Sequence, residues 1–346
     1  MSAVNDGFGR RIDYLRISIT DRCNLRCIYC MPPEGVPPIT HDEVLRYEEI
    51  ERVVRAAAGL GISRLRLTGG EPLVRRDVPA LVAMLRAVPG VRELTMTTNG
   101  TLLAPLAGEL KAAGLDRVNI SVDTLDADRY RTISRGGCLQ TVLDGIAAAQ
   151  EAGLTPVKIN MVVMRGLNDD ETLAMAAQSV TQGWHVRYIE MMPLGNGQRI
   201  GALMEGDEFD EGGHAPGTPF AGLVTSNNIR ASIEERYGPL EPVSLASSGP
   251  AETWRVPGTA GSIGFISAVS HAFCTQCNRL RLTSSGALVP CLFSDREVPL
   301  RAVLRAGAST EELQGLICQA IALKQEGHHL AEGQVGTDHQ MSKIGG

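Results

Sequence analysis

Two groups of cysteine carry most of the chemical information in this 346-residue chain. Cys23, Cys27 and Cys30 lie in DRCNLRCIYCMP; Cys274, Cys277 and Cys291 lie in FCTQCNRLRLTSSGALVPCLF. The other two thiols, Cys138 and Cys318, stand alone in helical text and are expected to be buried packing residues. Clustered thiols in a chain without a secretory leader read as metal ligands rather than disulfides. Three thiolates within eight residues face one point only if the loop wraps around it. Such ligands suit iron–sulfur clusters or zinc. A closed structural zinc site needs four ligands, so a trio with an open corner favours a reactive centre. The bland alternative is zinc completed by a distant histidine, His41 for the first trio and His271 for the second. For the second trio, spacing alone leaves zinc and iron–sulfur open.

Other residues point to an anionic ligand. Arg16 and Arg66 sit inside strand-like text, and Arg279 flanks a thiol. Those are costly places for unpaired cations, and arginine forks bind phosphate oxygens bidentately. In Thr68-Gly69-Gly70-Glu71-Pro72, glycine lets backbone approach a ligand closely, although a Gly-Gly turn alone is weak evidence.

The elements that must position these residues alternate. Strand candidates are Asp13–Thr20, Arg64–Thr68, Arg92–Thr98, Arg117–Asp123, Pro156–Met164 and Val186–Met191, bounded by turn residues. The first helix is expected to open at Thr40, with Glu43 completing a capping box. Val44, Leu45, Ile50, Val53, Val54 and Leu60 then recur near a helical period. Similar stretches lie near 77–88, 101–113, 138–153 and 169–182. Six βα units with such crossovers imply a parallel sheet of the α/β class. Six is short of the eight of a full barrel, so the expected shape is a partial (β/α)6 TIM-like barrel. A doubly wound sheet is the runner-up. Residues 195–225 break the rhythm and read as a long loop. NNIRASIEERYG is helix-like, TWRVPG, GSIGFIS and RLRLTSSGALVPCLF are β-like, and 309–325 is helical. The expected division is a barrel at 10–225 and a β-containing region at 226–346 that closes the open end.

Composition sets the class. Hydrophobic residues are 43% and charged residues 21%, which suits a globular chain. A net charge of −6 argues against a nucleic-acid coat or an anionic membrane partner. No apolar run reaches the roughly 18–20 residues of a membrane span. The start lacks a secretory core, so a cytoplasmic location is expected.

CxxxCxxC after the first strand, with Tyr29 before the third cysteine, resembles the radical S-adenosylmethionine (SAM) superfamily. The resemblance implies a [4Fe–4S] cluster on Cys23, Cys27 and Cys30, whose open iron chelates SAM. It places Tyr29 beside adenine, Gly70 of the GGEP motif near the SAM amino group, and Ser121 and Met192 on the SAM side. FCTQCNRLRLTSSGALVPCLF, RLTGGEPLVRRD, TMTTNG, NISVDTLD and the terminal Ile-Gly-Gly resemble one branch, the GTP 3′,8-cyclases of molybdenum-cofactor biosynthesis. That branch implies a second [4Fe–4S] cluster on Cys274, Cys277 and Cys291 whose non-cysteine iron binds the guanine of GTP. It implies GTP contacts from Arg16, Arg66, Thr97, Lys158, Arg187, Arg279, Arg281 and the backbone of Leu280. It counts Arg279 and Arg281 as catalytic, with Gly345 and Gly346 entering the active site. The product would pass to cyclic pyranopterin monophosphate synthase, and a flavodoxin or ferredoxin would supply electrons; homodimerisation is left open. Two alternatives stand beside this reading. One is another radical SAM enzyme with an auxiliary cluster, such as a peptide-modifying one, which usually carries more C-terminal cysteines. The other is a non-catalytic zinc protein.

Overall fold

The computed structural model describes residues 4–194, 223–244, 249–328 and 344. Within them, the alternating text folds as six βα units. The strands are β1 (Tyr14–Ser18), β2 (Arg64–Thr68), β3 (Glu93–Thr98), β4 (Arg117–Ser121), β5 (Lys158–Val163) and β6 (His185–Glu190). Between and after them run α1 (Tyr47–Gly59), α2 (Val78–Arg86), α3 (Ala107–Ala112), α4 (Ala127–Ser134), α5 (Leu139–Glu151) and α6 (Thr172–Thr181). Neighbouring strands from β1 to β6 pair in parallel.

Each strand alternates in a way that decides the architecture. Leu15, Ile17, Leu65, Leu67, Leu94, Met96, Val118, Ile120, Ile159 and Met161 enter one core with Ile50, Val53 and Val54 of α1. Their neighbours, including Arg16, Arg66, Thr95, Asn119 and Lys158, point the other way, because successive side chains take opposite faces. A doubly wound sheet needs apolar residues on both faces. Here one face is polar, so the helices cover one side and the other lines a lumen. The partial barrel is the fold.

The C-terminal part adds α7 (Ser226–Tyr237), β7 (Glu241–Pro242), β8 (Glu252–Arg255), β9 (Ser262–Ile266), β10 (Arg279–Leu282), β11 (Ala287–Val289), β12 (Val298–Pro299), α8 (Arg301–Arg305) and α9 (Thr310–Ala322). These strands join the same sheet, in the order β12-β11-β10-β1-β2-β3-β4-β5-β6-β9-β8-β7. β10 lies parallel on β1 and β9 parallel on β6, so both open edges of the six-unit array are extended by late chain. α9 opens with a full capping box, Glu312 N–H to Ser309 Oγ and Ser309 N–H to the Glu312 carboxylate, and packs on α1.

Three expectations change. The Thr40 N–H does bond to the Glu43 carboxylate, at 3.0 Å, but the pair closes a short 3-10 turn. The helix begins at Tyr47, where Glu49 accepts from the Arg46 N–H at 2.7 Å. Cys138 and Cys318 are exposed rather than buried, one just before α5 and the other on the outer face of α9. α4 and α8 were not expected: α4 has few apolar residues and α8 is only five residues long. Most of the 195–225 segment lies outside the described residues. Among the described residues no helix is long and apolar enough to cross a membrane.

Candidate active site

The first thiol loop leaves the C-terminal end of β1 and is seated on the GGEP turn. Gly70 N–H donates to Thr20 O at 2.9 Å and Glu71 N–H to Arg22 O at 2.8 Å. A Cβ on Gly70 would lie 2.3 Å from Arg22 O and 2.9 Å from Asp21 O, so only glycine fits beneath the loop. The Glu71 carboxylate accepts from Asn99 N–H at 2.6 Å, Thr98 Oγ1 at 2.7 Å and Leu73 N–H at 3.0 Å. Burial nevertheless raises it to about 7. Asn99 Nδ2 reaches on to Asn24 Oδ1 at 2.9 Å and to Cys23 Sγ at 3.9 Å. Tyr29 OH donates to Asp123 at 2.8 Å, and burial raises that carboxyl to about 6. Burial also pushes the Cys27 thiol well up and Cys30 to about 12, with Asp123 and the sister thiols adding to it. Holding these as thiolates takes nearby positive charge, which a metal centre supplies. Ser121 closes β4 and Met192 follows β6; both are half-buried. Tyr29, Gly70, Ser121 and Met192 thus share the C-terminal rim of the strands with the first trio.

Below that rim the lumen is strongly basic. Registry sets Arg16 between Arg66 and Arg281, Asn119 beside Thr97 and Lys158, and Arg187 beside Asn160. Arg66, Arg117, Lys158, Arg187 and Arg281 are all buried. Arg66 Nε donates to Thr95 Oγ1 at 3.2 Å and stands over the Tyr14 ring. With its amide oriented to suit its neighbours, Asn119 accepts from both Arg66 and Arg187. Arg117 pairs with Glu93, which also draws Arg64. Burial, reinforced by the neighbouring cations, lowers Lys158 to about 6 and Arg187 to about 9. It lowers Arg281 to about 10, with Arg279 adding to it. Tyr14 OH, Thr97 Oγ1, Asn160 Oδ1 and Arg187 Nε are buried without a hydrogen-bond partner. Buried orphans of this kind ask for a ligand. A cavity of about 240 Å³, lined by Gly249, Ala251, Phe273, Gln276, Asn278 and Arg279 among others, shares Gly249 and Ala251 with a smaller one at Lys158, His185 and Arg187.

The second trio lies at the opposite end. Cys274 and Cys277 precede β10, whose first residue, Arg279, pairs with Tyr14 at the start of β1. The length of β1 separates the two thiol levels by roughly 15 Å, at about 3.3 Å per residue. Cys291 follows β11. Burial pushes the Cys277 thiol up, but Arg279 and Lys324 outweigh it and hold the thiol at about 7. Arg279 stands over the Phe273 ring. The Leu280 side chain belongs to the core, so only its backbone is left for a ligand. Gly345 and Gly346 lie outside the described residues.

Among the described residues no three His, Cys, Asp or Glu groups converge as tightly as one metal ion requires. His41 and His271 are exposed. A cluster that takes one thiolate per iron uses a wider set, and two half-buried cysteine trios fit that donor chemistry. Sequence reasoning missed Arg117, Asn119, Asn99, Asp123, Glu71 as a buried acid, and Lys324. The alternation that places Ser121 on the lumen also places Asn119 and Arg117 there, and was a usable signal.

Residues 17–178 match the family model of the radical SAM superfamily, and 184–330 that of Molybdenum Cofactor Synthesis C. Among solved structures, Streptococcus suis SuiB bound to precursor peptide SuiA has the same fold at a TM-score of 0.60 and 11% identity, over 96% of this chain and 76% of that one. Barrel and thiol loop together define the radical SAM class. The GTP 3′,8-cyclase of Pelotomaculum thermopropionicum is 48% identical over 99% of this chain and 100% of its own. That of Moorella thermoacetica is 49% identical over the same shares. Within the class, the chain belongs to the GTP 3′,8-cyclase family.

Proposed function

We propose that this chain converts GTP to (8S)-3′,8-cyclo-7,8-dihydroguanosine 5′-triphosphate, the first step of molybdenum-cofactor biosynthesis. A [4Fe–4S] cluster on Cys23, Cys27 and Cys30 with SAM would supply the radical chemistry that takes hydrogen from ribose C3′ and lets C3′ bond to guanine C8, with one further electron from the reductant and one proton completing the 7,8-dihydro product. The chain's own residues bind and orient. Gly70, Tyr29, Ser121 and Met192 surround SAM at the C-terminal rim. Arg16, Arg66, Thr97, Lys158, Arg187 and Arg281 take the triphosphate and ribose in the lumen. Cys274, Cys277 and Cys291 hold a second [4Fe–4S] cluster, and Arg279, Arg281 and the Leu280 backbone fix the base against it. Holding C3′ and C8 in register is orientation catalysis. The same reading gives Gly345 and Gly346 a catalytic role.

One observation carries the reading: buried Arg66, Arg117, Lys158, Arg187 and Arg281 crowd one lumen, with Thr97 Oγ1 and Arg187 Nε lacking a hydrogen-bond partner, between two thiol trios. Like charges crowded into a buried space are costly, and a polyanion relieves that cost. Cyclic pyranopterin monophosphate synthase would consume the product, and a flavodoxin or ferredoxin would supply electrons in the cytoplasm. The division into a barrel at 10–225 and a C-terminal region at 226–346 belongs to the same proposal.

The test is anaerobic incubation of reconstituted protein with SAM, GTP and dithionite. Expected are 5′-deoxyadenosine and the cyclised triphosphate in equal amounts. Release of 5′-deoxyadenosine with GTP intact and unbound would overturn the assignment.

A further inference from the structure

The chain segment that leaves α9 reads as an ordinary polar helix exit, yet Lys324 within it is 6% exposed. Its ammonium has three protons, and each has an acceptor. Nζ donates to Arg279 O at 2.8 Å, to Pro290 O at 2.9 Å and to Cys277 Sγ at 3.7 Å. Arg279 follows Cys277 by two residues, and Pro290 immediately precedes Cys291. One side chain therefore ties together the two chain segments that carry two of the three thiols. Among the described residues no carboxylate pairs with it. A buried ammonium without an anion is costly, so the sulfur side must balance its charge. Arg10 makes the matching connection to the third thiol. Its guanidinium donates to Cys274 O at 2.7 Å, Gln325 O at 2.6 Å and Glu326 O at 2.9 Å, and Asp6 neutralises it at 2.6 Å. All three thiol-bearing segments thus close on residues 324–326.

We infer that Lys324 is a positioning residue for the second cluster, fixing the Cys277 and Cys291 segments and setting a cationic N–H donor on the Cys277 sulfur, with Arg10 bracing the Cys274 segment. The inference rests on the reading that Cys274, Cys277 and Cys291 hold that cluster. Partners that orient metal ligands commonly matter by about 10–100-fold in metal affinity. A cation donating to a cluster sulfur also favours the more negative, reduced state.

The experiment uses anaerobically reconstituted full-length protein, with the first cluster as internal reference. Iron release to a chelator and an EPR-monitored redox titration are followed for each cluster. Lys324→Met is expected to speed iron loss from the second cluster by about tenfold or more and to lower its potential, leaving the first cluster unchanged. Lys324→Arg keeps the charge but not the three-acceptor fit; it should speed iron loss while holding the potential closer to wild type, and it carries the test if Lys324→Met does not fold. Arg10→Met should speed loss from the second cluster alone. Unchanged release and potential in the Lys324 variants would overturn the positioning role, as would equal acceleration at both clusters. Wild-type protein showing only one cluster would instead overturn the reading beneath it.

Discussion

At the C-terminal ends of the strands, Cys23, Cys27 and Cys30 sit near Glu71 and Asp123; at the N-terminal end of β10, Cys277 sits against Arg279 and Lys324. Each end carries three thiols, but the fields around them have opposite sign. Burial and nearby acids raise the thiols at the first, while at the second two cations override burial at Cys277, although burial still raises Cys274. The difference matches the two small molecules of the proposed reaction. SAM carries a sulfonium and an ammonium, and GTP carries a triphosphate. The acidic rim suits the first and the basic lumen beneath it suits the second. One barrel thereby sorts a cation from a polyanion along its axis, before any specific contact is made.

The hardest way to break the comparison is at its acidic end. Gly70→Ala forces a methyl into the Arg22 carbonyl, which backbone cannot yield without lifting the thiol loop. Expected is loss of the first cluster's iron and of all 5′-deoxyadenosine, with the second cluster's iron retained. Metal analysis with EPR checks it, and equal loss at both ends would mean that the ends are not independent.

A smaller effect sharpens the basic end. Arg187→Met removes one buried cation whose Nε has no partner in the protein. GTP affinity should fall by roughly 10- to 100-fold, the worth of one charge-assisted hydrogen-bonding group of about 1.5–3 kcal/mol. SAM binding should not change, and the ligand-free protein should be as stable as the parent or more so, because a like-charge repulsion is gone. Calorimetry on both ligands and urea unfolding read these out. A loss of SAM affinity as large as that for GTP would contradict the sorting.

The smallest effect is a slope. Lys158 is lowered to about 6 in the fold, chiefly by burial, and is near 10.4 when unfolded. Between those values the unfolded chain holds one more proton than the folded one, so stability rises as pH rises. The group's contribution is about 1.4 kcal/mol per pH unit over that window. Lys158→Met should remove that slope from ligand-free unfolding measured at pH 7 to 9. In the parent, GTP should bind with proton uptake over the same range, seen as buffer-dependent binding heats. Identical slopes in both proteins would show that Lys158 stays charged.

Much of this arrangement was legible in local text. The strands read correctly to within a few residues because they are short, β-rich and bounded by turn residues, and Arg16 and Arg66 could be flagged because a cation in such text has nowhere cheap to go. Gly70 was readable as a close approach. What stayed hidden depends on distant chain. Lys324 looks like any lysine at a helix exit, where a solvated cation is favourable. It is buried by β10 and β11, elements made some forty residues earlier. Asp123 and Glu71 look like ordinary turn acids, and their raised values come from the strands packed around them. Thr40 and Glu43 form the interaction that the text implied, but two turns of chain too early for the helix.

The placement of β9 and β10 has a consequence for how the chain is made. β1 finds one of its two partners about 265 residues downstream, and β6 waits for residue 262 onward. During synthesis the six βα units therefore emerge with two bare strand edges and a cluster of like charges facing an unfinished chamber. Such edges invite pairing between nascent chains, and the long-range closure is a slow step. Ribosome-bound chains stopped before residue 262 should be the most dependent on chaperones, and those extended past residue 282 much less so.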